Sequence, residues 1–155
     1  GLVTAGNASG INDGAASWLL ADVNTAAELG LKVRARLVAN AFAGVDPKLM
    51  GLGPVAAVPK ALAQAGLSIA DMDVIESNEA FAAQAMAVAQ ELGFAAEKVN
   101  PNGGAVGMGH PVGATGAILT VKTLYELERT GGRYGLITLC IGGGQGIALI
   151  IERVS

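Results

Sequence analysis

Hydrophobic and polar positions alternate along this chain with a period that changes several times, and each change marks an element. In "KVRARLVANAFA" (Lys32–Ala43) Val33, Ala35 and Leu37 alternate with Lys32, Arg34 and Arg36. That two-residue period predicts a strand with one wet face. "GPVAAVPKALAQAGL" (Gly53–Leu67) turns to helical spacing from about Pro54 and stops at Gly66. "MDVIES" (Met72–Ser77) predicts a strand, and the helix after it, "EAFAAQAMAVAQELG", carries Phe81, Ala85, Val88 and Leu92 on one face. That face is mostly alanine, so its neighbours can approach closely. A further helix, about Gly113 to Arg129, places Ala117, Val121, Leu124 and Tyr125 on one stripe. "GLITLCI" and "GIALIIERV" then predict two strands separated by glycines, an antiparallel pair.

The first thirty residues are less regular. "GLVTAGNASGINDG" reads as a loop by its Gly, Asn, Ser and Asp content. "AASWLLA" (Ala15–Ala21) predicts a short buried strand, and "NTAAELG" (Asn24–Gly30) a short helix stopped by its glycine. Strands alternating with helices imply a βαβ-type sheet covered by helices on both faces, with a hairpin closing it. There is also an internal echo: "DGAASWLLAD" near the start resembles "QGIALIIERV" near the end. On that reading the first strand is the last strand of a preceding, similar domain.

Composition changes the picture in one respect. Hydrophobic residues make up 52% of the 155 and charged residues only 15%. That excludes a disordered segment and leaves little charge to solvate a large surface. A partner subunit, or another part of the same polypeptide, is therefore expected to cover much of it. The apolar runs are too short to span a bilayer as a helix, and no signal-peptide pattern is present. The chain opens on Gly1, so translation is expected to begin upstream. A net charge of -3 argues against nucleic-acid binding, which calls for a basic stripe. One cysteine permits no internal disulfide and suits a reducing interior, and one cysteine plus one histidine cannot fill a protein-ligated zinc site.

Those two unique side chains both stand among glycines. His110 lies in "GMGHPVGATG" (Gly107–Gly116) and Cys140 in "LCIGGGQG" (Leu139–Gly146). A lone histidine often caps a helix, but here Gly109 and Pro111 hold the backbone extended before a helix start. The positive end of that helix is expected to lower the imidazole pKa and leave His110 able to accept a proton. Cys140 ends an apolar strand. It reads either as a small buried hydrophobe or as a thiol beside glycine N–H groups that could hold an oxyanion. The glycine run is a weak phosphate-loop signal, because no lysine or helix start follows it. Ser77 or Asn78 of "SNEAF" reads first as a helix cap, "NASG" (Asn7–Gly10) as a turn, and Met50 as a packing residue.

Taken together, "NEAF" (Asn78–Phe81), "GHPVGATG" (Gly109–Gly116) and "CIGGGQG" (Cys140–Gly146), in that order, closely resemble the thiolase family. "TAGNASGINDGAA" (Thr4–Ala16) and "GVDPKLMGLGP" (Gly44–Pro54) resemble its linking segments, so the likeness runs over essentially the entire chain. Ketoacyl synthases share the fold but usually carry a second histidine, or an asparagine-containing glycine loop, where this chain has Cys140. The resemblance implies an α/β fold: a βαβαβαββ domain with a mixed five-stranded sheet, helices on both faces and a C-terminal antiparallel strand pair. Residues 1–30 would close an N-terminal domain and residues 31–155 form the C-terminal one.

It also implies roles. Cys140 corresponds to the general acid/base, and His110 to the histidine that activates a nucleophilic cysteine and donates to the thioester oxygen. Asn78 corresponds to the holder of a water completing that oxyanion site, and Gly142 to an N–H donor in a second one. Ser9 matches a contact to the pantetheine arm of coenzyme A, while Met50, Ala80 and Phe81 would line the acyl and pantetheine pocket. No metal or prosthetic group is implied, only coenzyme A thioesters as substrates. The nucleophilic cysteine and the basic loop region gripping the CoA phosphates belong to parts not in this sequence. An N-terminal thiolase half is thus an expected partner, in a homo-oligomeric enzyme of the cytoplasm or an organellar matrix. Two other readings stay open on residue types: a stand-alone Cys140–His110 acyltransferase or hydrolase, and a non-catalytic thiolase-like module that binds acyl-CoA.

Overall fold

The computed structural model describes residues 1–154. Its regular elements are α1 (Val23–Glu28), β1 (Ala35–Gly44), α2 (Gly53–Ala65), β2 (Val74–Ser77), α3 (Ala82–Leu92), α4 (Ala105–Met108), α5 (Thr115–Thr130), β3 (Tyr134–Ile141) and β4 (Gln145–Arg153). A 3-10 helix, Pro47–Leu52, connects β1 to α2. The sheet is mixed, in the order β1-β4-β3-β2, with β2 parallel to β3 and the other pairs antiparallel.

Four strands stand where five are expected. The missing one survives as a single parallel bridge between Val99 and Ile75, beyond β2. Asn100 donates its N–H to the Ile75 carbonyl at 2.8 Å and then turns left-handed at φ 46°. Pro101, with no N–H to give, follows, so the ladder cannot continue.

Successive strand residues face opposite layers, which is what lets one sheet serve two cores. Ile75, Leu136, Ala148 and Ile150 pack with Ala57, Val58 and Ala61 of α2. Their chain neighbours Val74, Ile137 and Ile151 pack with Leu119 and Leu127 of α5. Helices thus cover both faces, as expected.

Three details of the pattern resolve differently from the expectation. In β1 the register slips between Leu37 and Ala39, a bulge that resets the alternation. Val33 and Leu37 consequently lie exposed, and Ala39, Ala41 and Ala43 take the buried face. In α5 the buried stripe is Thr115, Leu119, Thr120, Thr123, Glu126 and Leu127, not Ala117, Val121, Leu124 and Tyr125. Threonine can occupy it because its hydroxyl is satisfied locally: Thr120 donates to the Gly116 carbonyl and Thr123 to that of Leu119, both at 2.8 Å. Tyr125 lies outside under the guanidinium of Arg34. Finally, Ala15–Ala21 is neither strand nor buried; Trp18, Leu19 and Leu20 are exposed, because no neighbouring strand among the described residues pairs with the segment.

Candidate active site

The C-terminal ends of the parallel strands β2 and β3 carry the candidate site. Beyond β2, the Asn78 N–H still bonds the Thr138 carbonyl of β3 at 3.0 Å. This ladder bond buries Asn78 and aims its amide at the loop between α4 and α5. There the Asn78 Nδ2 lies 3.3 Å from Nε2 of His110. The other imidazole nitrogen, Nδ1, lies 2.7 Å from Thr115 Oγ1, in the first turn of α5. Both ring nitrogens therefore have fixed partners.

His110 is held from the opposite side by the N-terminal loop. Its N–H is shared between the Gly10 carbonyl and the Asn12 side-chain oxygen, each at 3.1 Å. The same loop ties down the "NEAF" segment: Ser9 donates to the Ala80 carbonyl at 2.9 Å, and Ala82 donates to the Asn7 carbonyl at 2.9 Å. Residues 7–12 thus stitch the Asn78 loop to the His110 loop. Gly109 is required where they meet, since its φ is +99° and a Cβ there would collide with Asn12.

Burial pushes the His110 imidazole below its ordinary pKa, because the charged form loses solvation. The direction matches the expectation. At pH 7 the ring is neutral and one nitrogen is a base.

Cys140 sits two residues beyond Thr138 on β3, about 7 Å further along the strand, and pairs with Gly146 of β4. Burial raises its pKa, so the thiol is the resting form. Among the described residues no hydrogen bond joins Cys140 to His110, whose nitrogens are taken by Asn78 and Thr115. A nucleophile–base pair between them is not assembled.

The glycines after Cys140 divide into two kinds. Gly142 is exposed, with open space where a side chain would project. Gly143 and Gly144, at φ +87° and +88°, supply the left-handed turn of the hairpin. Gly144 accepts from the Val45 N–H at 2.7 Å, so the hairpin tip rests on the loop leading to Met50. Gly146 instead faces the backbone of Gly53, where α2 begins, too closely for any Cβ. Packing, not substrate approach, demands that last glycine.

Of the expected site residues, Ser9, Asn78, Ala80, Phe81 and His110 converge through these direct contacts, Phe81 by a bridge to Ala8. Cys140 and Gly142 lie on the adjoining hairpin, and Met50, half-buried, on the 3-10 helix beside it. Buried polar atoms collect here too: Asn78 Oδ1, Ser77 Oγ and Gln84 Oε1 have no protein partner.

Residues 31–153 match the family model described as "Thiolase, C-terminal domain". The chain belongs to the thiolase family. It is 60% identical, over 154 residues, to the Beta-ketothiolase BktB of Cupriavidus necator, covering 99% of this chain and 39% of that thiolase. With the 3-oxoadipyl-CoA/3-oxo-5,6-dehydrosuberyl-CoA thiolase of Escherichia coli it shares 61% identity over 156 residues, with the same coverage of each. The crystal structure of human mitochondrial 3-ketoacyl-CoA thiolase superposes with a TM-score of 0.93 at 44% identity, over 99% of this chain and 39% of that one. The chain therefore spans about two-fifths of the length of the thiolases it matches.

Sequence reasoning passed over Thr115 and Asn12, the two side chains that hold His110 in place. Thr115 had a signal available: it opens the helix five residues after the histidine, where its hydroxyl can reach back. Asn12 had none, because nothing local says that it meets a loop 98 residues away.

Proposed function

We propose that this chain is the acid/base-bearing part of a thiolase. The complete subunit would interconvert a 3-ketoacyl-CoA plus CoA with acetyl-CoA plus a shortened acyl-CoA. The observation that carries the proposal is the Asn78–His110 contact, with the Cys140 thiol two residues beyond Thr138, whose carbonyl accepts the Asn78 N–H.

The nucleophile is a second cysteine, supplied by the rest of the subunit. His110 takes its proton at Nε2. In cleavage the thiolate attacks the 3-keto carbonyl, and the C2–C3 bond breaks to release the acetyl-CoA enolate. In condensation it attacks the thioester carbonyl of an acyl-CoA, and the CoA thiolate leaves. The imidazolium so formed donates to the oxygen on which charge develops. Asn78 holds the water that completes this oxyanion site, a role suited to a buried amide whose oxygen lacks a protein partner. In cleavage, the Cys140 thiol gives its proton to the carbon of the departing enolate. In condensation, it first gives that proton to the departing CoA thiolate, and the Cys140 thiolate so formed then removes a proton from the methyl of acetyl-CoA. A thiol whose burial favours the protonated form is poised as the acid. Gly142 offers its N–H to the acyl-enzyme's oxygen. Ser9 meets the pantetheine arm, and Met50, Ala80 and Phe81 line the acyl pocket. The enzyme needs no metal or prosthetic group, and it works as a homo-oligomer in the cytoplasm.

The test is a chimera in which this chain replaces the matching part of the Cupriavidus necator thiolase. Thiolysis of acetoacetyl-CoA is expected from the chimera and not from the 155-residue chain alone. Cys140→Ala and His110→Ala should each lower kcat by about 100-fold or more. Turnover by the isolated chain, or full activity of a Cys140→Ala chimera, would overturn the proposal.

A further inference from the structure

The Thr115 hydroxyl has one proton and two lone pairs. Its Oγ1 lies 2.9 Å from the Pro111 carbonyl oxygen, which can only accept, so the proton goes there. What Oγ1 offers His110 Nδ1, at 2.7 Å, is a lone pair. Nδ1 must then carry a hydrogen. With the ring neutral, Nε2 carries none, and it faces the Asn78 Nδ2 donor at 3.3 Å. The two contacts are consistent with a single tautomer, and both partners are almost fully buried, Thr115 at 3% and Asn78 at 2% exposure. Little water can exchange for either bond.

We propose that Thr115 is a positioning residue that locks His110 in the Nδ1–H tautomer and so keeps the basic lone pair on Nε2. Thr115 touches no reacting atom; it acts through the imidazole. The arrangement also serves the protonated ring, because Nδ1–H keeps donating to the same oxygen when a proton arrives at Nε2. Proton uptake and release at Nε2 then require no rotation of the threonine hydroxyl or of the ring. The use made of that lone pair rests on the thiolase reading above, but the tautomer itself does not.

His110 is the only histidine, so its ring nitrogens can be observed directly in the ¹⁵N-labelled 155-residue chain. Long-range ¹H–¹⁵N correlation spectra above the imidazole pKa report which nitrogen is protonated. The expected result is protonated Nδ1 in the wild type and in Thr115→Ser. In Thr115→Val, which keeps the shape but removes the acceptor, the ratio of Nδ1–H to Nε2–H should fall about tenfold or more. A wild-type ring protonated at Nε2, or an unchanged ratio in a folded Thr115→Val chain, would overturn the proposal. Should the valine variant not fold, the wild-type and serine spectra decide it by themselves. In the chimera, Thr115→Ser should retain kcat where Thr115→Val loses it. An inactive chimera with the expected spectra would count against the proposed function and leave the tautomer assignment standing.

Discussion

Nε2 of His110 and the side-chain amide of Asn78 face each other at 3.3 Å, although 32 residues separate them in the chain. A ladder bond to β3 fixes the asparagine, and a turn of α5 together with the N-terminal loop fixes the histidine. Both side chains are thus held in place by contacts from other elements of the fold.

Replacing Asn78 by Asp puts a carboxylate against Nε2. An adjacent negative charge favours the imidazolium, so the pKa of His110 should rise from below its ordinary 6.5 to above it. A ¹H NMR titration of the single imidazole checks this. A pKa that stays below 6.5 would mean the two side chains do not meet.

Cys140 should behave as a partly buried, unactivated thiol. Its alkylation by iodoacetamide is expected to rise with pH through a midpoint above the usual thiol value, because burial disfavours the thiolate. His110→Gln should leave that midpoint where it is. A midpoint near neutrality that His110→Gln abolishes would instead reveal a Cys–His nucleophile.

The ion pair of Glu76 and Lys122, at 2.8 Å, lies behind the site, with the carboxylate wholly buried. Burial already pushes that carboxyl's pKa up, and Lys122 opposes the shift. Lys122→Met strands the charge and is expected to cost about 3 kcal/mol of stability. Adding Glu76→Gln should recover part of the loss. Urea unfolding of the single and double variants measures both; equal stability of Lys122→Met and wild type would contradict the burial.

Two glycines of one hairpin should respond oppositely to alanine. Gly146→Ala drives a Cβ into the backbone of Gly53 and should cost about 3 kcal/mol or more. Gly142→Ala meets open space and should change stability by less than about 0.5 kcal/mol. Thermal unfolding of the two variants distinguishes a glycine held by packing from one with open space around it.

The resemblance to thiolases was legible in short local motifs, and so were α2, α3 and the β3–β4 hairpin. Local signals suffice where a periodic stretch is bounded by glycine, as at Gly66 and Gly93, each of which ends its helix in the left-handed region. Periodicity misled where polarity and burial part company. Thr120 and Thr123 hide their hydroxyls on their own helix and take core positions. Trp18, Leu19 and Leu20, read as a strand of a preceding domain, lie exposed in a chain that spans two-fifths of its relatives' length.

From the sequence alone come the rare side chains, His110 and Cys140, and the short motifs in which they stand. Residue type and near-neighbour sterics are local properties, so a linear reading can recover them. Only the tertiary structure decided what each nitrogen of His110 touches, which glycines are packed shut, and that residues 7–12 fasten two distant loops. Those outcomes depend on hydrogen bonds and close contacts between segments far apart in the chain, and no local pattern encodes such distances.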